Sequence, residues 1–324
     1  MLTLSTNSNR MTPKVSVIVC AYNQEKTVAR TLDSILAQKS DYSYEIILGE
    51  DCSKDGTRKI CEEYATKYPD VIKLMPSAPN KGMMRNWRDC LAECRGEYIM
   101  ACAGDDWWHN PEKINIQVDF MDKNPDYVMC YTAIIRHNTK MGTCCKLPVV
   151  NHPDNMFGAL LKVDFISAPT ACFRSSMLQH ISIDDYIERG YLMEDYPAWL
   201  EMINFGKFKG LEEYTVTYVQ NSNSLSTFAT LKEQVDFEEN VQRVRCDMVR
   251  KYNKCEEYPA TVLQDIFYRN LYSHGIKFND RKFSLASILK VNSKNGRDVL
   301  KIIMASNPIT YSLLRRRNKE YATI

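Results

Sequence analysis

Three short apolar runs, Val15–Cys20, Tyr44–Gly49 and Tyr98–Ala103, recur along the first third of the chain with helical stretches between them. The first and third are too apolar for strands with one wet face and read as buried inside a parallel sheet. Gln24–Gln38 places Val28, Leu32, Ile35 and Leu36 at helical spacing. A second helix is expected over Thr57–Tyr68 after the turn Ser53-Lys54-Asp55-Gly56, and a third over Met83–Cys94, with a short strand at Val71–Met75 between them. Strand and helix alternating in this way require right-handed crossovers. The expected class is α/β: a Rossmann-like, mostly parallel central sheet with helices on both faces.

The second half is more mixed. Glu112–Lys123 and Glu194–Phe205 read as helices, and Tyr127–Arg136, Ala171–Arg174 and Tyr214–Val219 as strands. Residues 137–165 read as irregular, apart from a short helix near Asn155–Leu161. From Leu231 onward the chain reads as four helical segments, broken near Tyr258-Pro259, Asn279-Asp280 and Asn307-Pro308. Leu285, Ile288 and Leu289 share one helical face, as do Val299, Ile302 and Ile303, and Arg315-Arg316-Arg317 follows. Two readings of these helices stay open: packing on the rest of the chain, or docking on an anionic membrane surface.

Composition removes several classes. With 42 basic against 40 acidic residues in 324, no global field for nucleic acid exists. No stretch has the roughly 20 uninterrupted apolar residues of a spanning helix. Met1–Lys14 is polar and lacks the apolar core of a signal peptide. The twelve cysteines contain no C-x-x-C pair, and the five histidines form no ligand spacing with them. A reduced cytoplasmic protein is expected, rather than a disulfide scaffold or a zinc site.

Four strand ends carry polar groups. Ala21-Tyr22-Asn23-Gln24-Glu25 follows the first strand, and Glu50-Asp51 opens the turn after the second. Arg85-Asn86 lies at the start of the third helix, and Gly104-Asp105-Asp106 ends the Tyr98–Ala103 strand. Successive carboxyl ends of a doubly wound sheet converge on one crevice. Adjacent acids there lose solvation and repel, so a hard divalent cation is their natural partner. The competing reading makes them caps of the helix starting near Asn110-Pro111-Glu112. A flat ring, an acid able to accept a base N–H, a cation and a metal site together make a nucleotide-diphosphate pocket. No G-x-G-x-x-G fingerprint and no Walker loop is present.

Five pieces in order resemble the family 2 glycosyltransferases of the GT-A fold, of the bacterial surface-polysaccharide type. They are Pro13–Asn23, Leu32–Gln38, Glu50-Asp51 through Gly56-Thr57, Arg85-Asn86, and Gly96–Ile99 leading to the acid pair. Gly190–Trp199 further resembles that family's Glu-Asp motif. The resemblance implies a catalytic unit over 13–226, a flexible segment over 1–12 and a helical extension over 227–324. It implies that Ala21, Tyr22 and Glu25 frame the nucleobase and that Asp51 accepts its ring N–H. Arg85 would lie near the donor diphosphate, Asp105 would reach the ribose or the metal, and Asp106 would bind Mn²⁺ or Mg²⁺ directly. Asp195, with Glu194 as runner-up, would be the general base of an inverting transfer, because an acceptor alcohol must lose its proton as it attacks.

The implied partners are a nucleotide-sugar donor, taken as a UDP-sugar, and a glycan or lipid-linked glycan acceptor, met at the inner face of the membrane. Two departures stand out. Many members of the family carry Asp-x-Asp-Asp where this chain has Ala103, and many carry a histidine where it has Asn221. A sugar-nucleotide-forming nucleotidyltransferase and a non-catalytic binding subunit with the same fold are the alternatives. The first would show a glycine-rich basic loop after strand one, and the second would not need both acid pairs intact.

Overall fold

The structure, a computed structural model, describes residues 12–76, 79–152, 154–220 and 227–314. In chain order the elements are β1 (Val15–Ala21), α1 (Val28–Leu36), β2 (Tyr44–Glu50), α2 (Thr57–Lys67), β3 (Ile72–Leu74), α3 (Met83–Glu93) and β4 (Tyr98–Ala103). There follow β5 (Trp107–Trp108), α4 (Lys113–Lys123), β6 (Tyr127–Asn138), β7 (Thr143–Leu147), α5 (Met156–Lys162) and β8 (Cys172–Arg174). The last are α6 (Ile183–Glu188), α7 (Asp195–Met202), β9 (Lys207–Gln220), α8 (Leu231–Lys251), α9 (Ala260–Lys277), α10 (Arg281–Leu289) and α11 (Gly296–Ser306). A further helical stretch covers 308–314.

The strands form one sheet in the order β3-β2-β1-β4-β8-β6-β9-β5, with β7 beside β6. β3, β2, β1 and β4 are parallel, as the sequence predicts. β8 runs antiparallel to both β4 and β6, while β6 and β9 run parallel.

Side chains alternate across the parallel strands into two cores. Val15, Val17 and Val19 of β1 join Tyr98, Met100 and Cys102 of β4 under α1, α2 and α4. Ile18, Ile47 and Ile99 point the other way, into the core shared with α3, α5, α7, α8 and α9. Each such fully buried side chain contributes about 1.5–3 kcal/mol; two buried polar exceptions, Ser16 and Glu45, bond each other at 2.8 Å.

Several elements differ from the expectation, β5 and α6 among them, which the sequence does not predict. The irregular stretch 137–165 contains a strand, β7, paired with the end of β6. Its residues are only half-buried, so it lacks the apolar run that marks a central strand. β9 begins seven residues earlier than Tyr214. The helices after Leu231 break once more than expected, over residues 290–295. α8 starts at a capping box in which Thr230 and Glu233 satisfy each other's backbone N–H groups. The last helices close on a small core of their own, built from Tyr272, Ile276, Ile288, Val291, Ala305 and Tyr311.

Candidate active site

The loops after β1 and β2 are stitched to each other. Asn23 takes a left-handed φ of 52°, its N–H donates to Ser53 Oγ at 2.9 Å, and its Oδ1 accepts from Lys54 N at 2.8 Å. Gln24 N donates to Thr57 Oγ1 at 2.7 Å, and Glu25 Oε2 accepts from Gly56 N at 2.8 Å. Glu25 therefore holds the neighbouring loop with its carboxylate, while Tyr22 stands exposed beside it.

Asp51 is buried, and its two carboxylate oxygens each accept a backbone N–H, from Lys81 at 2.9 Å and from Gly82 at 2.9 Å. That grip fixes the entry to α3, on whose first turn Arg85 is exposed and pairs with no described residue. Ala21 joins the two loops at the base, accepting Asp51 N at 3.0 Å.

The acid pair sits on a turn gripped by α1. Thr27 Oγ1 donates to the Gly104 carbonyl at 2.8 Å and Thr31 Oγ1 to that of Asp106 at 2.6 Å. Gly104 is required here because a Cβ would collide with Gln24 and crowd Ala21. Arg30 donates to the Asp105 carbonyl at 3.0 Å and lies 3.8 Å over the Trp107 ring. The two acids then diverge. Asp105 is half-exposed. Asp106 is 1% exposed; its Oδ1 accepts from Val219 N of β9 at 2.7 Å, and its Oδ2 has no partner. Burial, and then the charge of Asp105, push the Asp106 carboxyl well above the usual range, against the pull of Val219 N–H and Arg30.

A buried, unpartnered carboxylate oxygen next to a second acid is the donor type that a hard divalent ion takes. The residues present therefore fit such an ion, but only as a two-acid site. Ala103 is exposed where a third acid would stand, and among the described residues no group of three His, Cys, Asp or Glu could hold a metal.

Glu194 and Asp195 open α7, and both are half-buried. Asp195 Oδ1 accepts from Tyr196 N at 2.8 Å. Burial, and then the charge of Asp195, push Glu194 up to about 8. Burial raises Asp195 as well. A third acid, Asp164, lies within reach of them: desolvation and the Asp195 charge raise its carboxyl, while Ile166 N–H and Arg245 of α8 pull it down. The Cys20 thiol at the end of β1, raised first by its contact with Cys90 and by burial, also feels Glu194 and Asp51. Glu194 and Asp51 are thus both within electrostatic reach of the end of β1.

Sequence reasoning missed Asp164 and Arg30. Asp164 lies in a stretch without periodicity, and Arg30 sits among ordinary helix-surface residues, so neither carried a signal. Asn221 lies outside the described residues.

The likeness to known proteins follows this architecture. The fold matches S. aureus TarS 1-349, solved in complex with UDP-GlcNAc, with a TM-score of 0.55 and 20% identity over 90% of this chain and 79% of that one. It also matches the mannosyltransferase PcManGT from Pyrobaculum calidifontis, solved with GDP-Man and Mn²⁺, with a TM-score of 0.55 and 14% identity over 95% and 88%. The fold is GT-A, with a helical C-terminal part.

In sequence, 120 residues are 36% identical to the uncharacterised Mycobacterium tuberculosis protein Rv1520, covering 37% of this chain and 35% of that protein. EpsE of Bacillus subtilis, named as a candidate glycosyltransferase, is 32% identical over 213 residues, 65% of this chain and 74% of EpsE. WfaP of Escherichia coli, named as a UDP-Glc:alpha-D-GlcNAc-diphosphoundecaprenol beta-1,3-glucosyltransferase, is 28% identical over 193 residues, 59% of this chain and 71% of WfaP. The profile of the family described as Glycosyl transferase family 2 matches residues 16–182, and the chain belongs to that family.

Proposed function

We propose that this chain is an inverting, metal-dependent glycosyltransferase that moves a sugar from a nucleotide-sugar, a UDP-sugar, to a hydroxyl of a glycan or lipid-linked glycan. The observation that carries the reading is the acid pair Glu194-Asp195 at the head of α7. There burial raises the proton affinity of both Glu194 and Asp195, which a general base working near neutral pH needs. Asp195 takes the proton of the acceptor hydroxyl, with Glu194 as the alternative base. The acceptor oxygen attacks the anomeric carbon from the face opposite the diphosphate. The new C–O bond forms as the bond to the phosphate oxygen breaks, and the configuration inverts.

Tyr22, Asp51 and Arg85 line the path of the donor, with the nucleobase between Tyr22 and Asp51 and the diphosphate beside Arg85. Asp105 and Asp106 would hold a Mn²⁺ or Mg²⁺ ion, which supplies positive charge against the charge growing on the diphosphate. UDP and the lipid-linked acceptor are supported by the substrates in the name of WfaP. We read residues 13–226 as the catalytic unit and place the protein in the cytoplasm, at the inner face of the membrane. The unpaired state of all twelve cysteines accords with a reducing compartment.

The test is a calorimetric and thermal-shift series with UDP, GDP, CDP and dTDP, each with and without Mn²⁺. Binding of UDP above the others, strengthened by the ion, is the expected outcome. Binding indifferent to both base and metal would reject the reading. Pyrophosphate rather than a nucleoside diphosphate as the released product would give the site to nucleotidyl transfer instead.

A further inference from the structure

We propose that the outer face of α11 and of the helix at 308–314 docks on an anionic lipid surface. Val299, Leu300 and Ile303 of α11 fall within about 100° of arc on the helix, and all are exposed, Ile303 to 60%. Ile309, at 75%, and Leu313, four residues apart on the next helix, are exposed as well, as is Leu289 at the end of α10. Scattered exposed apolar residues are ordinary, but three on one face of α11, with two more on the helix that follows, mark an interaction surface.

The face is not a core face that has come loose. On the other side of α11, Asp298 and Ala305 are buried. Arg269 Nη2 holds Asp298 at 2.9 Å, and Arg281 Nη1 donates to the carbonyls of Ala305 at 3.2 Å and Ser306 at 3.0 Å. Tyr311 donates to the Gly275 carbonyl at 3.0 Å. The helices are thus anchored from behind and present their apolar side outward.

Charge identifies what covers that side. Lys282, Lys290, Lys294 and Arg297, on α10, α11 and the loop between them, are exposed. The sole acid in 281–314, Asp298, is buried and paired, so it offsets none of them. Residues 281–324 carry ten basic and two acidic side chains, whereas the first 280 carry 32 basic and 38 acidic. A second copy of the chain would bring these like charges together, whereas lipid phosphates complement them. No described helix is long and apolar enough to cross a membrane, so the contact lies on the surface. The inference deepens the proposed action on a lipid-linked acceptor, but its test uses no substrate, so the two can fail separately.

The experiment is co-sedimentation of the full chain with vesicles of phosphatidylcholine alone or mixed equally with phosphatidylglycerol, together with light scattering of the protein without lipid. Binding to the anionic vesicles at least about tenfold above the neutral ones is expected. Leu300→Asp with Ile303→Asp should lower that binding about tenfold or more, and Met141→Asp, an exposed apolar residue on the β6–β7 turn, should leave it unchanged. A second variant, Lys290→Glu with Lys294→Glu and Arg297→Glu, keeps the apolar face and should lose the preference for anionic lipid. Equal binding to both vesicles, no binding, or an equal loss in Met141→Asp would overturn the proposal. A dimer that the Leu300/Ile303 variant dissolves, without vesicle binding by the parent, would overturn it in favour of self-association.

Discussion

A carboxylate buried like that of Asp106, with one oxygen bonded to Val219 and the other to nothing, resists ionisation. The folded chain holds that proton more tightly than the unfolded one, so the associated stability is present at low pH and is lost as pH rises through the raised value. Asp106→Asn keeps the acceptor for Val219 and removes the ionisation. In EDTA at pH 8 it should melt about 2 °C or more above the parent, with the gap closing toward pH 5. Adding Mn²⁺ should raise the parent's melting temperature and leave the variant's unmoved.

Glu194 titrates in the same direction, so the parent's rate should climb as pH rises toward about 8, where the coupled pair gives up its last proton. Asp195→Asn should lower kcat by about 10²–10⁴ with the donor Kd unchanged; pre-steady-state kinetics and calorimetry separate the two effects. At this scale the acid pairs were visible because each sits at a strand end or helix start that local pattern reveals. The inward turn of Asp106 was not, because the group that fixes it lies 113 positions away.

Between α8 and α9 a buried polar network replaces the usual apolar seam. Glu238 accepts from Arg245 at 2.6 Å and from Asn270 at 2.9 Å, and lies 3.2 Å from His274 Nε2. Burial pushes its carboxyl up, but His274, Arg245 and Asn270 together hold it below the usual range. Its contribution to stability is therefore present at neutral pH and lost as pH falls through that lowered value. Glu238→Ala would strand Arg245 as an uncompensated buried charge and should cost about 3–5 kcal/mol. Glu238→Gln, which keeps an acceptor, should cost less; urea denaturation of both measures the difference.

Pattern located the long apolar strands and the helix breaks at Pro259 and Asp280, because both rest on local chemistry. It stopped β9 short at Tyr214 because Glu212 and Glu213 are extra residues. The register with β6 jumps from Thr132–Leu211 to Ala133–Tyr214, a bulge that looks like a loop in one dimension. β5 and β7 escaped because a two-residue and a half-exposed strand carry almost no hydrophobic signal.

Across the whole molecule, acidic excess lies in the first 280 residues and basic excess in the remainder. The strand ends at the site are joined by main-chain bonds in addition to the side-chain bonds of their loops. Asp51 N donates to the Ala21 carbonyl at 3.0 Å and Gly104 N to that of Cys20 at 3.0 Å, so the ends of β2 and β4 are both bolted to β1. With Thr27 and Thr31 at the start of α1 holding the acid turn, the ends of β1, β2 and β4 are tied together. A donor that lay between Asp51 and Asp105 would therefore meet strand ends already tied to one another, so binding it would have little of this frame left to order.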